Sequence, residues 1–484
     1  MLTYSRTMRW PARTAVSCLA VISVTAATLA AIRASGTAQA ASTPPPCAAP
    51  SSAPPSGAPT TVTTIGQAYY CVFAHYYSGP VLDDRVLLAG AFAGLTQELG
   101  RLGMDQPDAA MPALTSNRDS DWAAFAAVYQ QIMSQVPASA AQRQELAAAT
   151  MNGMLAGLDD NHAHWQYFEL PPGYQRGDEY DLGIWTSPSF LLAGGAPREA
   201  LPPLFVTRVQ PGSPAASNGI RPGDVIESVN GAPPFADGIL SAATVSPLAL
   251  DTYPLPAHVT LRLHRPATRR TWTVTLAPAL YQATAPAVSA KLLDGHIAYA
   301  ELPSFFTGAA DQVLNAIASL GKQAAIRGVI LDLRGNTGGS TAEVTRLLGA
   351  FEHGQAYSYD CDVQGSCTAS YPDPSIPLLH LPLVVLTDRN CVSACDAFSG
   401  AVKDLNLGTL TGTRTGGIVA GPAAAYRLDD GSLLALPAKH ELSADHELIN
   451  GIGVAPGYYI PLTADDLATG HDPDLVKALT LLGG

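Results

Sequence analysis

The chain has 484 residues, more than one hydrophobic core uses, so two or three domains are expected. Apolar residues make up 47% and charged residues 14%, a balance that excludes wholesale disorder. A formal charge of -13 opposes phosphate backbones and anionic lipid, which sets nucleic acid aside as a partner.

Residues 1–40 carry Arg6, Arg9 and Arg13, then an apolar run from about 15 to 31, then Ala38-Gln39-Ala40. This is the layout of a secretory signal with an A-x-A site, so cleavage is expected after Ala40 and the mature chain is expected to be secreted or extracytoplasmic. The run is shorter than the roughly 20 apolar residues that span a bilayer and holds several Ala and Thr, which weighs against an uncleaved anchor. No stable membrane insertion is expected after cleavage. Removing the segment deletes Arg6, Arg9, Arg13 and Arg33 and no acid, so the formal charge moves from -13 to -17. Cys18 leaves with it. Cys47, Cys71, Cys361, Cys367, Cys391 and Cys395 remain, grouped by twos, and no CxxC occurs among them. In an exported chain this favours disulfides over a metal site, although spacing alone does not choose their connectivity.

Residues 41–65, beginning ASTPPPCAAPSSAPPSGAPT, read as a Pro/Ala/Ser-rich linker. From 66 to 175 the pattern is that of a helical N-terminal domain. Trp122, Phe125, Val128 and Tyr129 recur at helical spacing, as do Met151, Met154, Leu155 and Leu158. The helix carrying the second set is expected to stop near Gly157, which places His162 and His164 of LDDNHAHW on the loop that leaves it.

Residues 178–285 show apolar alternation broken by Pro and Gly clusters, the signature of short strands in a β-rich module. Its centre, VTRVQPGSPAASNGIRPGDVIESVNG at 206–231, runs strand, Pro-Gly turn, short helix, Gly-Asp turn, strand, Asn-Gly hairpin, and so resembles a PDZ domain. Upstream, Leu182-Gly183-Ile184 resembles the loop whose backbone N–H groups receive a peptide's terminal carboxylate while the next strand adds the peptide to the sheet edge. The stretch at 232–253 has no clear pattern.

Residues 288–484 alternate strand-like runs at 296–300, 328–333, 383–386 and 409–412 with helical stretches, the rhythm of an α/β layer structure. In VVLTDRNCVSACDAFSGAVKD the apolar strand at 383–386 enters a short polar turn, and Ser393 stands where a helix starts at about Ala394. A serine there can expose its hydroxyl at the strand's carboxyl end beside an outward-facing backbone N–H. The plainer reading is a helix cap. ILDLRGNTGGS, at 330–340, adds a strand followed by a glycine turn where backbone can approach another segment closely.

Taken in order, the helical segment, the PDZ-like module, HIAYAELPSFF (296–306), DLRGNTGG, the Ser393 block, GTRTGG (412–417) and NGIGVAPG (450–457) resemble the tail-specific, or C-terminal processing, serine peptidases and the core of tricorn protease. The resemblance spans roughly 119–480. It implies an α/β core of the crotonase-like sort behind the PDZ domain. It also implies that Ser393 is the nucleophile, that the N–H groups of Ala394 and of Gly338 or Gly339 form the oxyanion hole, and that Asp404 occupies an acidic position of the nucleophile helix.

Two positions depart from the family pattern. Ser/Lys members place a general-base lysine after the glycine turn, but Ile418 stands there. A serine hydroxyl needs a base within hydrogen-bond reach. The tricorn-like branch uses a histidine on the loop ahead of the PDZ module, and His162 matches it; the competing reading is a polar loop residue beside His164. The second departure is Asn450, which stands where the family has the carboxylate that orients the base. An amide oxygen can hold an imidazole but stabilises an imidazolium less than a carboxylate does. Glu447 is the nearest alternative acid, more simply read as a solvated charge. Cys391 and Cys395 flank Ser393, but their pairing in an exported chain argues against a nucleophilic thiol. HELSADHE (440–447) lacks HExxH spacing and GTRTGG lacks a GK[ST] ending, so neither a metal, a nucleotide nor any other cofactor is expected.

The leading expectation is therefore an exported serine endopeptidase acting on proteins or peptides whose accessible C-terminal tails the PDZ module captures. The alternative, prompted by Ile418 and Asn450, is an inactive homologue that binds peptides.

Overall fold

The computed structural model describes residues 47, 58–167, 171–175, 178–187, 200–248, 256–282, 287–421 and 423–483. The signal-like segment, most of the Pro-rich spacer and residues 249–253 lie outside them. No helix among the described residues is long and apolar enough to cross a membrane.

The centre is a six-stranded sheet in the order Ser289–Leu293, Ile297–Glu301, Gly328–Asp332, Leu383–Thr387, Thr409–Gly412, Tyr458–Tyr459, antiparallel at the first pair and parallel thereafter. A parallel sheet needs both faces covered, and the apolar runs supply two faces by alternation. Ala298, Ala300, Val329, Leu331, Leu383, Val385 and Leu410 point into the larger core, against the helices Ala309–Gly321, Thr341–Leu348 and Ala394–Asp404. Ile297, Tyr299, Ile330, Val384 and Leu386 point the other way and meet Ala478 of the helix Pro473–Leu481. Because every crossover returns to the same sheet, the turns that leave the strands gather at their carboxyl ends, where the site is built.

The N-terminal domain packs the helices Val62–His75, Asp84–Arg101, Arg118–Gln135 and Ala140–Ala156. The last of them ends on Gly157, as its apolar spacing predicts. Two boundaries differ from the sequence reading. The first helix begins at Val62, inside the segment read as spacer, because Thr61 caps it with its side-chain oxygen. The hairpin of Ala423–Arg427 and Leu433–Pro437 leaves the α/β core, pairs with His164–Gln166, and buries Leu428, Leu434 and Leu436 among the N-terminal helices. The helical domain is thus completed by a distant stretch of chain.

The PDZ-like module has its own core, including Leu182, Ile184, Val206, Ile226, Leu261 and Leu276. Strand Val206–Val209, helix Pro214–Ser217 and strand Val225–Val229 follow the predicted order, and Asn230 and Gly231 turn the hairpin with positive φ. The unpatterned stretch after it holds a two-residue hairpin, Phe235–Ala236 with Ile239–Leu240, and a single helical turn, Ala242–Val245. Cysteines lie at bonding distance in the pairs Cys47–Cys71, Cys361–Cys367 and Cys391–Cys395.

Candidate active site

Strand Leu383–Thr387 is buried throughout, and the chain after it stays buried at Cys391, Val392 and Ala394, while Ser393 reaches partly to the surface. Ser393 sits at φ 59° and ψ -120°, a conformation that costs an L-residue on the order of 1–3 kcal/mol and persists only where the surroundings over-determine it. Serine and threonine caps elsewhere in the molecule, such as Thr61 and Ser139, are extended in the ordinary way. Ser393 thus differs in backbone conformation from those caps.

Several contacts hold it there. Its N–H donates to Ile418 O at 2.7 Å and also to Asp396 Oδ2 at 3.1 Å, and the Cys391–Cys395 pair closes across it. Val392 N–H donates to Asn336 O at 3.1 Å, which ties the serine turn to the glycine turn. At Gly338, φ is 86° and a Cβ would lie 2.6 Å from Ser393 Cβ and 2.7 Å from Val392 O, so only glycine permits this approach.

Of the two glycines expected at the oxyanion hole, one already has a partner. Gly338 N–H donates to the side-chain oxygen of buried Asn336 at 2.8 Å, so it is spent inside the turn and does not point at an oxyanion. Of the expected donors, Gly339 and Ala394 remain. Asn336 also donates its amide to Leu302 O, and nothing in its local sequence beyond its place in a Gly-rich turn signalled this bracing role.

Asp396 is the other residue that sequence reasoning passed over. It is fully buried and gathers the N–H groups of Ser393, Gly417 (3.0 Å) and Ile418 (2.9 Å) together with the Thr415 hydroxyl. Burial pushes its carboxyl up to about 6 despite these donors. The available signal was the Ser-x-x-Asp spacing at a helix start. Asp404, the acidic position that the resemblance marked on this helix, lies near the helix end and pairs with Lys403 at 3.4 Å.

His162 lies on the loop between helix Ala140–Ala156 and strand His164–Gln166, as expected. Its N–H donates to Asp160 Oδ1 at 2.7 Å, while Asp160 Oδ2 accepts the Tyr76 hydroxyl at 2.8 Å. Its Nδ1 is buried with no hydrogen-bond partner among the described residues. Burial lowers the imidazole to about 4, against the opposing pull of Asp160, so the ring is neutral at neutral pH. Asn161 reaches across to Gly417 O at 3.0 Å, and Gly451 N–H donates to the same oxygen at 2.7 Å. The histidine loop, the GTRTGG turn and the NGIG turn thus meet at Gly417, one residue from the carbonyl that holds Ser393.

Asn450 accepts Val419 N–H on its amide oxygen at 3.2 Å and so braces the same turn. Glu447 is exposed and pairs with Lys403 at 3.1 Å, a solvated charge as its plainer reading held. Ile418 takes no side-chain part in these contacts; both its backbone groups serve Ser393 and Asp396.

Beside the site, a cavity of about 1010 Å³ runs between the PDZ-like module and the carboxyl ends of the central strands, lined among others by Trp185, Arg208, Arg334 and Asp388. Leu182, Gly183 and Ile184 lie just before its Trp185 edge, Gly183 with φ 71°.

Comparison with known proteins places two matches on this chain: residues 296–460 match peptidase family S41, and residues 205–243 match the PDZ domain. The carboxy-terminal processing protease CtpB of Bacillus subtilis is 25% identical over 374 residues, 76% of this chain and 74% of that protein. The chloroplastic C-terminal processing peptidase of Tetradesmus obliquus is 31% identical over 264 residues, 51% of this chain and 54% of its own length. In three dimensions, the photosystem II D1 C-terminal processing protease superposes with a TM-score of 0.51 at 22% identity, over 87% of this chain and 97% of that one, a likeness of fold.

Proposed function

Starting from a chain that carries a serine-type peptidase domain of family S41 behind a PDZ domain, we propose that it is an exported endopeptidase in which Ser393 is the nucleophile and His162 its base. The observation that carries this reading is the backbone of Ser393, held at positive φ by Ile418, Asp396 and Gly338 while the His162 loop is tied to the adjoining Gly417. A turn so constrained positions a hydroxyl before substrate arrives, which is where proximity contributes to rate.

On this reading a peptide or protein segment lies along the edge of strand Ile184–Thr186, and its scissile carbonyl reaches Ser393. His162 takes the hydroxyl proton as Oγ bonds to the carbonyl carbon, and the carbonyl oxygen becomes an oxyanion facing the N–H groups of Ala394 and Gly339. The imidazolium then gives that proton to the leaving amine as the C–N bond breaks, leaving an acyl-enzyme that water hydrolyses by the same route. Asp160, which accepts the backbone N–H of His162, shapes the histidine loop, Asn161 ties that loop to Gly417, and Asn450 braces the same turn through Val419. Export rests on the signal-like segment at 1–40.

Labelling with a fluorophosphonate tests this directly. Ser393 is expected to be modified in the unaltered protein and not in Ser393→Ala, and His162→Ala is expected to slow labelling and peptide hydrolysis by on the order of 10⁴-fold. Folded protein that takes no label at Ser393 would sink the peptidase reading. It would favour the inactive, peptide-binding homologue, which Ile418 at the lysine position supports.

A further inference from the structure

The loop that should greet a peptide's end already holds a carboxylate. Asp181 directly precedes Leu182-Gly183-Ile184, and its Oδ1 accepts the Gly183 N–H at 2.6 Å. The same oxygen accepts the Tyr281 hydroxyl at 2.7 Å. Tyr281 is buried and lies on strand Ala279–Gln282, which pairs with Asp178–Asp181 so that Asp181 faces Ala279. Its hydroxyl reaches Asp181 along the diagonal of that pair.

The loop cannot turn this N–H elsewhere. Gly183 O accepts Gln210 N–H at 3.0 Å and Leu182 O accepts Ala215 N–H at 3.1 Å, so the peptide planes on both sides of Gly183 are anchored. A Cβ at Gly183 would lie 2.1 Å from that of Ser213, so the glycine is pressed against its neighbour with no room to shift. Burial raises the Asp181 carboxyl, and the two donors oppose that rise by favouring its charged form. Glu179 adds a further negative charge near Tyr281, and Arg208 a positive one.

A terminal carboxylate is captured where loop N–H groups converge on it. Here one such N–H is spent on a fixed internal anion, and an incoming carboxylate would meet like charge in a desolvated place. We propose that Asp181 is a specificity-determining residue of the PDZ module. It stands in for a ligand's terminal carboxylate, so the module favours extended segments without a free C-terminus over free carboxylate tails. This rests on the peptide-binding reading above and narrows it.

The test uses the full chain as Ser393→Ala, which binds without cutting, and two sets of short peptides of identical sequences, one made as free acids and one as C-terminal amides. The retained fraction of each is read by mass spectrometry. With Asp181 in place, acids are expected to be retained no better than amides. Asp181→Gly is expected to shift the acid-to-amide ratio toward acids by about ten-fold. Asp181→Asn keeps an acceptor for Gly183 and Tyr281 while removing the charge, and a shift in the same direction is expected from it. An acid preference of about ten-fold with Asp181 intact, or a ratio that neither substitution moves, overturns the inference. If no peptide of either set is retained by any variant, the peptide-binding reading fails and takes the inference with it.

Discussion

Two loops of this molecule combine a positive-φ glycine, a backbone N–H and a carboxylate, buried at Asp396 and half-buried at Asp181, and they are finished in opposite ways. At Ser393 the carboxylate of Asp396 lies beneath the turn and collects the N–H groups of Ser393, Gly417 and Ile418, which leaves Ala394 and Gly339 for an oxyanion on the proposed mechanism. At Gly183 the carboxylate of Asp181 takes the N–H of the loop residue itself. A carboxylate under a turn preorganises it; one at the loop's own N–H occupies it. The direction in which each carboxylate points separates the two loops.

The contact between Gly338 and Ser393 is where this contrast breaks most readily. Gly338→Ala would place a Cβ 2.6 Å from that of Ser393, and the serine turn must move to admit it. A displacement of about 1 Å at a reacting group costs on the order of 10²-fold, so fluorophosphonate labelling is expected to fall at least that far while circular dichroism stays unchanged. Labelling at the unaltered rate would show that the turn is not the pivot described.

Asp396→Asn sharpens the comparison next. An amide replaces one of two accepting oxygens that together serve four donors, leaving buried N–H groups without acceptors at about 2 kcal/mol or more, read as a lowered Cm in urea. The pH profile separates Asp396 from the base. Protonation of Asp396 below about 6 removes acceptors from the Ser393 turn, so the labelling rate is expected to fall through that pH. The neutral form of His162 persists down to about 4 and adds a second fall only there. Asp396→Asn should abolish the upper limb and keep the lower one. The stability sign runs the other way. The folded value of Asp396 lies above its ordinary 3.8, so this group's contribution declines as pH rises from 3.8 through about 6, and acid does not unfold the protein on its account.

Replacing both Cys391 and Cys395 by serine opens the short closure across Ser393. A loop this small is expected to lose about 2 kcal/mol, with a several-fold drop in labelling as the strained φ relaxes. A fall in melting temperature with full labelling would mean that hydrogen bonds alone hold the turn. The smallest effect is expected from Asn450→Ala, which removes the acceptor of Val419 N–H for about 1 kcal/mol. If labelling falls by orders of magnitude instead, Asn450 orients the base and does more than brace its neighbour.

Much of the architecture was legible because its signals are local. The end of the helix at Gly157, the strand–turn–helix at 206–231 and the strand that delivers Ser393 follow from apolar periodicity and from turn chemistry acting over a few residues. The spacing of the cysteines favoured disulfides without choosing partners, and the fold brings Cys361 to Cys367 and Cys391 to Cys395. Glu447 was rightly weighed as a solvated charge. The family resemblance pointed to Ser393, His162 and Asn450, and the fold brings their loops together at Gly417 and Val419.

By itself, the sequence determined which segments become strand, helix and turn, because backbone sterics and the burial of apolar faces act over short stretches. Tertiary structure alone decided that Gly338 spends its N–H on Asn336, that Asp396 gathers the N–H groups of the serine turn, that Asp181 takes the Gly183 N–H, and that residues 423–437 complete the N-terminal core. Each of these depends on which way a polar group points and on which distant segment arrives beside it. A buried hydrogen bond is satisfied by whatever donor or acceptor the packed chain brings within about 3 Å, and no local pattern encodes that partner.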